Sequence, residues 1–305
     1  MPRAVRQGKE VTGSPIGQIC GLLGISRQMY YRRNWRKEKC QKSASEVMRI
    51  VDGIRLEMPR IGTRKVYYLC RDKFRAMHVG RDKLNRILKA NHLLQKPLRS
   101  YHVTTNSHHR FHVHKNLVGN LDISRPEQVW VSDITYIGSR QNNLYLALVT
   151  DAYSKRIMGY DLSKSLDTQG ALRALSMANR NRDYPEKLLI HHSDRGIQYC
   201  SDIYQKRLRR YGILTSMTEK YDPYANAVAE RVNGILKQEF QLENLNLDIQ
   251  QMKNVVKDAI SIYNSKRPHC SCEMLTPMQM HAQCDVRIKT YKKENHNKVD
   301  LAVIP

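Results

Sequence analysis

Apolar residues near the start of the chain recur at helical spacing and predict two helices in close succession. Residues 14–39 read SPIGQICGLLGISRQMYYRRNWRKEK. The apolar positions of the first predicted helix are Ile16, Ile19, Leu22 and Leu23. Gly24 supplies a turn and Ser26 can cap the second helix, whose exposed side offers Arg27, Gln28, Tyr30, Arg32 and Arg33. The pattern predicts a helix-turn-helix with a basic face, and a packing hairpin is the alternative.

A second predicted helical region spans residues 43–98, with Pro59 and Gly62 separating two of its helices. In its last helix the inward positions are Leu84, Ile87 and Leu88, and the outward positions are Arg81, Lys83, Arg86 and Lys89. A basic helix at the end of a small bundle fits a DNA groove or a phosphate backbone. We therefore predict an all-α DNA-binding domain here, preceded by a helix-turn-helix-like basic segment at 1–42.

From residue 121 the pattern alternates between strands and helices. EQVWVSDITYIG predicts a strand, and NLYLALVTDAYSKRIMGYDLS predicts two more around the turn DAYSK. A helix, a short buried strand, a helix, a strand and a long helix follow. This order is typical of an α/β domain in which helices flank a mixed sheet. We assign residues 121–285 to this domain with its C-terminal helices, and 286–305 to a basic tail.

The charge distribution separates the same two regions. The chain has 52 Lys and Arg against 28 Asp and Glu, a net charge of +24, and residues 1–120 hold 26 of the basic but 7 of the acidic side chains. This asymmetry favours a polyanionic partner, nucleic acid before membrane, over a merely basic soluble protein. Residues 99–120 are rich in His without nearby Cys or carboxylates, which indicates a linker or a DNA-tracking arm rather than a zinc site.

Two further features bear on the cellular compartment. No apolar run approaches the roughly 18 residues of a membrane span. The 7 cysteines are scattered without a CxxC pair, which suggests reduced thiols. We expect a cytoplasmic, nucleoid-associated protein.

Three carboxylates stand where predicted elements end or begin. Asp133 ends VWVSD, Asp194 ends LLIHHSD, and Glu230 lies in the first turns of the long helix, on the face that also carries Asn226, Asn233 and Lys237. Converging acids repel one another unless cations fill the site. Hard divalent ions take oxygen ligands, and two of them about 3.5–4 Å apart serve in-line phosphoryl displacement. For each acid alone, a cap, a turn or a surface charge is the alternative.

These segments resemble the signature of a known superfamily. VWVSDITYI, HHSDRGIQY and DPYANAVAERVNGILKQE look like the three motifs of the DDE transposases and retroviral integrases, and 35 residues separate Asp194 from Glu230, the spacing of the integrase-like branch. YNSKRPHCSCEMLTPMQM at 263–280, and RIGTRKVYYLC ahead of the core, are similar to segments of the IS-three family of bacterial insertion sequences. The resemblance covers about residues 14–280.

The resemblance implies an RNase H-like core in which Asp133, Asp194 and Glu230 hold two Mg²⁺ or Mn²⁺ ions. It implies a transposase in which water cuts a DNA strand at the element's end and the new 3′-OH attacks another phosphodiester. It also implies a partner, or a fusion, encoded by an upstream first frame. We further predict DNA contacts for Arg27, Arg32, Arg33, Arg81, Lys83, Arg86 and Lys237.

Two other functions compete with this one, and one expectation concerns assembly. An RNase H-like nuclease would cut without joining, but the basic N-terminal region and the segment 263–280 favour a recombinase. A catalytically decayed transposase acting as a DNA-binding regulator would show a lost acid or a broken core, and neither is seen. Because transposition has to hold two DNA ends together, we expect at least a homodimer on double-stranded DNA.

Overall fold

The chain divides into two compact units, and each is interrupted in sequence by the other. The computed structural model describes residues 2–95, 114–119, 121–138, 144–218 and 227–286. One unit comprises Met1–Leu56 and Cys70–Leu94, and the other Glu57–Leu69 and Gln95–Pro305. Most of the predicted His-rich linker at 99–120 and nearly all of the predicted tail at 286–305 lie outside the described residues.

The described residues of the first unit, together with 57–69, form six helices. They are α1 (Pro2–Thr12), α2 (Ile16–Leu22), α3 (Arg27–Glu57), α4 (Thr63–Leu69), α5 (Arg71–Ala76) and α6 (Arg81–Ala90). Helix α3 is 31 residues long and passes without a break through the predicted domain boundary at 42/43. Pro59 and Gly62 lie between α3 and α4, as their helix-breaking chemistry predicts.

The predicted helix-turn-helix is formed by α2 and α3. Gly24 adopts a φ of 66° in the turn, a left-handed conformation that glycine takes at little cost. The Met29 amide donates to Ser26 Oγ at 3.1 Å, so the predicted cap is present. In α6, Leu84 and Leu88 are fully buried, also as predicted.

Three side chains of this region differ from the prediction. Leu22 and Leu23 are 87% and 37% exposed, whereas Tyr30, expected on the basic face, is 6% exposed. The reason is α1, which the hydrophobic pattern did not predict. Because α1 contributes Val5 to a cluster with Ile19, Cys20 and Tyr30, those side chains form the local core and the two leucines are left outside it.

The second unit contains a five-stranded mixed sheet, which confirms the predicted α/β class. Its strands are β1 (Val129–Ile137), β2 (Leu144–Asp151), β3 (Ile157–Ser163), β4 (Ile190–Ser193) and β5 (Leu214–Met217), in the spatial order β3-β2-β1-β4-β5. β1, β2 and β3 pair antiparallel, whereas β4 pairs parallel with both β1 and β5. This is the mixed sheet expected when three successive strands precede strand–helix alternation.

Helices cover both faces of the sheet. They are α7 (Thr168–Arg180), α8 (Ile197–Cys200), α9 (Asp202–Arg210), α10 (Ala227–Gly234), α11 (Ile249–Ser265) and α12 (Pro277–His281). Trp130 points to the face covered by α7 and α9, and its neighbours Val129 and Val131 point to the face that receives Ala229 of α10. By the same alternation Asp133 belongs to the α10 face.

Close helix–sheet packing fixes this layer. A Cβ on Gly159 of β3 would lie 2.1 Å from the Ala174 carbonyl oxygen of α7, so only glycine permits this approach. Helix α11 begins with a capping box formed by Asp248 and Gln251, and α12 with one formed by Thr276 and Gln279.

Among the described residues, no helix is both long and apolar enough to cross a bilayer.

Candidate active site

The register of two neighbouring strands places Asp133 beside Asp194. In the parallel pairing of β1 with β4, Ser132 is the partner of Ser193. The residue that follows each serine is therefore an aspartate, at the end of β4 and at the matching position of β1. In the sequence, each acid comes just past a short apolar run. In the structure, these runs are neighbouring strands, so the two acids lie next to each other on β1 and at the end of β4.

The third acid, Glu230, comes from the first turn of α10. That helix contacts β1, and its Ala229 packs in the same apolar cluster as Val129 and Val131 of β1. Glu230 itself is exposed. Ala229 thus faces the sheet, whereas Glu230, the next residue of α10, is accessible to solvent.

Electrostatics tie the three acids into one site. Burial, together with the neighbouring charges of Asp194 and Glu230, raises the pKa of the Asp133 carboxyl to about 7 against two opposing hydrogen bonds. Those bonds come from the Ile134 amide at 2.9 Å and from Asn233 Nδ2 at 2.7 Å. Both of these hydrogen bonds to Asp133 come from neutral donors, so a bound cation would offset the negative charge that they leave.

Asn233 fixes the orientation of the Asp133 carboxylate. It lies three residues after Glu230 and is 5% exposed. While its Nδ2 donates to Asp133, its Oδ1 is buried and has no hydrogen-bond partner within the described part of the chain. The sequence placed Asn233 on the face of Glu230 but gave it no role; the three-residue spacing was the available signal.

Lys237, which the sequence analysis predicted to contact DNA, carries a positive charge near Asp133. It lies in a π-helical turn, Ile235–Glu239, that continues α10. Burial lowers the pKa of its amine, while the charges of Glu243 and Asp133 oppose that shift. The amine is thus within electrostatic range of Asp133. Its contact with DNA stays a prediction.

The loop after β4 is held by its own backbone. The Gly196 amide donates to Asp194 Oδ1 at 3.0 Å, and Arg195 Nε donates to the Thr218 carbonyl oxygen at 2.7 Å. A Cβ on Gly196 would lie 3.0 Å from Asp194 Oδ1, so a side chain there would crowd the carboxylate. These contacts fix the position of Asp194 at the end of its strand.

Behind the acids, a neutral histidine joins two strands and a helix. His191 Nε2 lies 2.7 Å from Ser132 Oγ and 2.9 Å from the Tyr204 hydroxyl. Burial, followed by the neighbouring His192, lowers the pKa of His191 to about 3, so the ring is uncharged at neutral pH. The next residue, His192, lies 2.9 Å through Nδ1 from Ser216 Oγ of β5. Sequence reasoning predicted none of these contacts.

A second acidic group in the core has a different character. Ligand atoms of Glu127, Asp183 and His281 all lie within 4.8 Å of one another, the one such group in the described residues. Glu127 already accepts from Arg182 Nε at 3.0 Å and from the Asp183 amide at 2.7 Å. With its charge balanced by protein donors, this group is a structural network.

The predicted DNA-contacting residues of the N-terminal unit lie on helix surfaces. Arg27, Arg32 and Arg33 are exposed on α3, and Arg81 and Arg86 are exposed on α6, where Lys83 is half-buried. An exposed arginine is available to a phosphate but also typical of any soluble helix. These assignments therefore stay predictions.

The donor set at the acids suits divalent cations. Three carboxylates supply hard oxygen ligands, the preference of Mg²⁺ and related ions. Burial and the charges of Asp194 and Glu230 raise the pKa of Asp133, and the buried Asn233 Oδ1 has no hydrogen-bond partner among the described residues, so both groups can accept a ligand. The residues present thus fit a metal-dependent phosphoryl-transfer site.

Comparison with known proteins identifies the family. Residues 123–223 and 211–277 match two descriptions of the integrase core domain. The 31 kDa protein of insertion element IS600 from Shigella sonnei is 32% identical, over 85% of this chain and 96% of its own length. The transposase InsF of insertion sequence IS3fB from Escherichia coli K12 is 34% identical, over 64% of this chain and 68% of its own.

Among solved structures, the catalytic core domain of HTLV-2 integrase in complex with magnesium aligns with a TM-score of 0.42 and 21% identity, covering 52% of this chain and 97% of that one. The sequence relatives carry the assignment, since one of them matches this chain over nearly its whole length. The chain belongs to the IS3 family of DDE transposases, with an integrase core as its catalytic domain.

Proposed function

We propose that this transposase cuts DNA strands at the ends of an insertion sequence and joins the new 3′-OH ends to other DNA, with Asp133, Asp194 and Glu230 as its metal ligands. The observation that carries the proposal is the raised pKa of Asp133. A core that buries Asp133 within range of the charges of Asp194 and Glu230, and so raises its pKa to about 7, maintains an arrangement unfavourable to folding. Such an arrangement is expected where a ligand supplies the missing charge.

Divalent metal ions belong to the chemistry of this enzyme class, and we propose two Mg²⁺ or Mn²⁺ ions at the three acids. When bound, they would neutralise charge on the phosphate and polarise the attacking and leaving oxygens. The protein's own residues position the ligands. Asn233 orients Asp133, and the Gly196 amide orients Asp194. In-line transfer needs mainly such positioning and charge neutralisation, so no covalent protein intermediate is required.

Positive side chains complete the proposed DNA path. Lys237 lies about one helical turn after Asn233, where its amine can contact a phosphate next to the scissile one. The basic faces of α3 and α6 would grip the flanking duplex by phosphate contacts, which give a steep salt dependence. We keep the predicted segments 1–42 and 43–98 as the DNA-binding part and 121–285 as the catalytic part.

We also propose that the active species contains at least two copies on two DNA ends, because joining requires both ends at once. A first-frame product of the element, separate or fused, is the expected partner. The nucleoid, where its DNA substrates lie, is the proposed site of action.

The test is recombination in cells. The gene with its native flanking DNA is placed on a plasmid, with and without Glu230→Gln, and joined element ends are detected by PCR. Joined ends from the wild type and none from the variant support the proposal. Joined ends from both would remove Glu230 from the chemistry. If neither yields product, the upstream frame is supplied in trans or as a fusion, and continued absence then favours a decayed transposase acting as a regulator.

A further inference from the structure

Glu239, the last residue of the π-helical turn, receives two basic side chains from distant parts of the second unit. Arg267 Nε lies 2.9 Å from its Oε2 and Arg267 Nη2 lies 2.8 Å from its Oε1, a two-pronged arrangement. Lys65 Nζ lies 3.1 Å from Oε1. The side chains of Lys65, Glu239 and Arg267 are 12%, 18% and 2% exposed, so this cluster of three is largely removed from water.

Further contacts hold the same three segments. The Arg60 amide donates to the Glu239 carbonyl oxygen at 3.0 Å, so the backbone of residues 57–69 is attached as well as the Lys65 side chain. Arg267 Nη1 lies 2.8 Å from His269 Nε2. Burial, followed by the charges of Arg267 and Lys65, lowers the pKa of His269 well below its usual value, so its neutral Nε2 can accept from the arginine.

A buried ion cluster of this kind is a poor way to gain stability. The cost of removing the charges from water can exceed their mutual attraction, and apolar residues of similar size often serve as well or better. Burial is accordingly the largest influence on Lys65, lowering the pKa of its amine. Charged, two-pronged contacts instead provide geometric specificity, because they hold the groups that they join in one orientation.

The three joined segments have separate tasks. Residues 57–69 stand in the chain between the two halves of the N-terminal helical unit. Glu239 closes the helical stretch that begins at Ala227 and carries Glu230 and Lys237. Arg267 follows α11 and begins the segment that leads to α12. Within the second unit, the cluster therefore joins residues 57–69, which we call the connector, to the helix of the third acid.

We propose that Lys65, Glu239 and Arg267 are positioning residues that fix the 57–69 connector on the catalytic helix, and that the joining of element ends depends on this attachment. This inference rests on the proposed function. It assigns these residues no contact with DNA or with an ion. Their loss should impair the joining of specifically bound ends more than the nicking of unrelated DNA, which does not depend on recognition of an element end.

The first experiment uses the full-length protein and compares Lys65→Met with Lys65→Arg and with a matched control, Lys266→Met. Lys266 is adjacent to Arg267, but its amine pairs at 2.7 Å with Glu57 at the surface, where the two side chains are 53% and 45% exposed. Each protein is assayed for joining of labelled element ends, for affinity to those ends, and for Mg²⁺-dependent nicking of unrelated duplex DNA.

We expect Lys65→Met to reduce end joining by about tenfold or more, since small misplacements of reacting groups have effects of that size. End affinity and unrelated nicking should stay within about twofold of wild type, because the folded units themselves are intact. Lys65→Arg should recover most of the joining, and Lys266→Met should match wild type. Wild-type joining by Lys65→Met, or an equal fall in joining and nicking, overturns the proposal.

The second experiment separates this inference from the proposed function. Hydrogen–deuterium exchange is measured on the amides of residues 60–69 without DNA, for wild type, Lys65→Met, Glu239→Gln and Lys266→Met. We expect exchange to accelerate by about tenfold or more in the first two variants and not in the third. If the wild type joins no ends yet these amides respond, the proposed function fails while the connector clamp stands. If they do not respond, the cluster does not hold the connector and the inference is wrong.

Discussion

The catalytic domain contains two groups of carboxylates that differ in how their charge is balanced. Asp133 faces Asp194 and Glu230 and receives hydrogen bonds from an amide and from Asn233, all neutral donors. Glu127, by contrast, is fully buried and meets the cations Arg182 and, at 3.4 Å, His281. Burial alone would raise the pKa of both acids.

The outcome is opposite in the two places. The pKa of Asp133 rises to about 7, whereas hydrogen bonds from His281, the Asp183 amide and Arg182 outweigh burial and lower the pKa of Glu127. An acid whose charge the protein balances belongs to the fold. One whose charge is left unbalanced is expected to take a ligand, and five substitutions test this distinction.

The largest effect is expected from removing a charge at the unbalanced site. Asp194→Asn or Glu230→Gln should lower strand cleavage and joining by at least about 10³-fold, because the metal ligands support several kcal/mol of transition-state stabilisation. Binding to element ends should change little. The assay is cleavage and joining of labelled DNA ends with Mg²⁺.

The control for that assay is Asp202→Asn, which alters an exposed acid at the start of α9. It should cut and join like wild type. Recombination retained by either active-site variant would exclude that residue from the metal site.

At the balanced site the loss should appear in stability. Glu127→Gln removes the partner of Arg182, whose side chain is 6% exposed, and leaves a buried unpaired cation. We expect the free energy of unfolding to fall by about 3–5 kcal/mol, measured by urea denaturation at pH 7. The control is Glu186→Gln, which alters an exposed acid between α7 and β4. Its free energy of unfolding should stay within about 0.5 kcal/mol of wild type. Equal stability of the two variants would refute the structural role.

Asp133→Asn should uncouple stability from function. Because folding raises the pKa of Asp133 from its ordinary 3.8 to about 7, the stability that the protonated carboxyl contributes is intact below about pH 4 and is lost as pH rises through 7. Without metal, the variant should therefore be about 2–4 kcal/mol more stable than wild type at pH 8, and similar to it near pH 4. Added Mg²⁺ should stabilise the wild type and not the variant. If the stability of the two proteins depends on pH in the same way, the pKa of Asp133 is not raised in the folded protein.

The smallest effect concerns His281. Burial lowers the pKa of this ring, but hydrogen bonds to Asp151 and Glu127 outweigh it and leave the pKa above 6.5. The protonated ring thus contributes stability that is complete below pH 6.5 and is lost as pH rises through the raised pKa. His281→Gln should cost about 1–2 kcal/mol at pH 6 and less at pH 9, by thermal or urea unfolding. A cost that does not change with pH would mean that the ring stays neutral.

Short-range patterns in the sequence were sufficient for much of this fold. Period-two and helical patterning gave the order of the strands and helices of the core, because one face of each element is buried. Ser26 was predictable as a cap from its type and place. The acids Asp133, Asp194 and Glu230 could be singled out by their motifs, although their role as ligands stays a prediction.

The rest depends on contacts between residues that are distant in the chain. Tyr30 looks like a surface residue and Leu22 like a core residue until α1 is present, because Val5 of α1 packs with Tyr30 and leaves Leu22 outside the cluster. The bond from Arg267 to Glu239, like that from His281 to Glu127, is decided by the packing of whole elements. Neither residue type nor local spacing marks those partners, since every Arg and Glu of the chain is equally eligible.

The interleaving of the two units has a consequence for how such elements can diversify. Since Glu57–Leu69 belongs to the catalytic unit while the residues on both sides of it do not, exchange of the DNA-binding part between two insertion sequences needs three crossovers, one on each side of the connector and one after Leu94. A single crossover at the end of the helical region would pair Lys65 with a foreign Glu239. New end specificities in this lineage should therefore arise by point substitution on the surfaces of α3 and α6 more readily than by shuffling of whole domains.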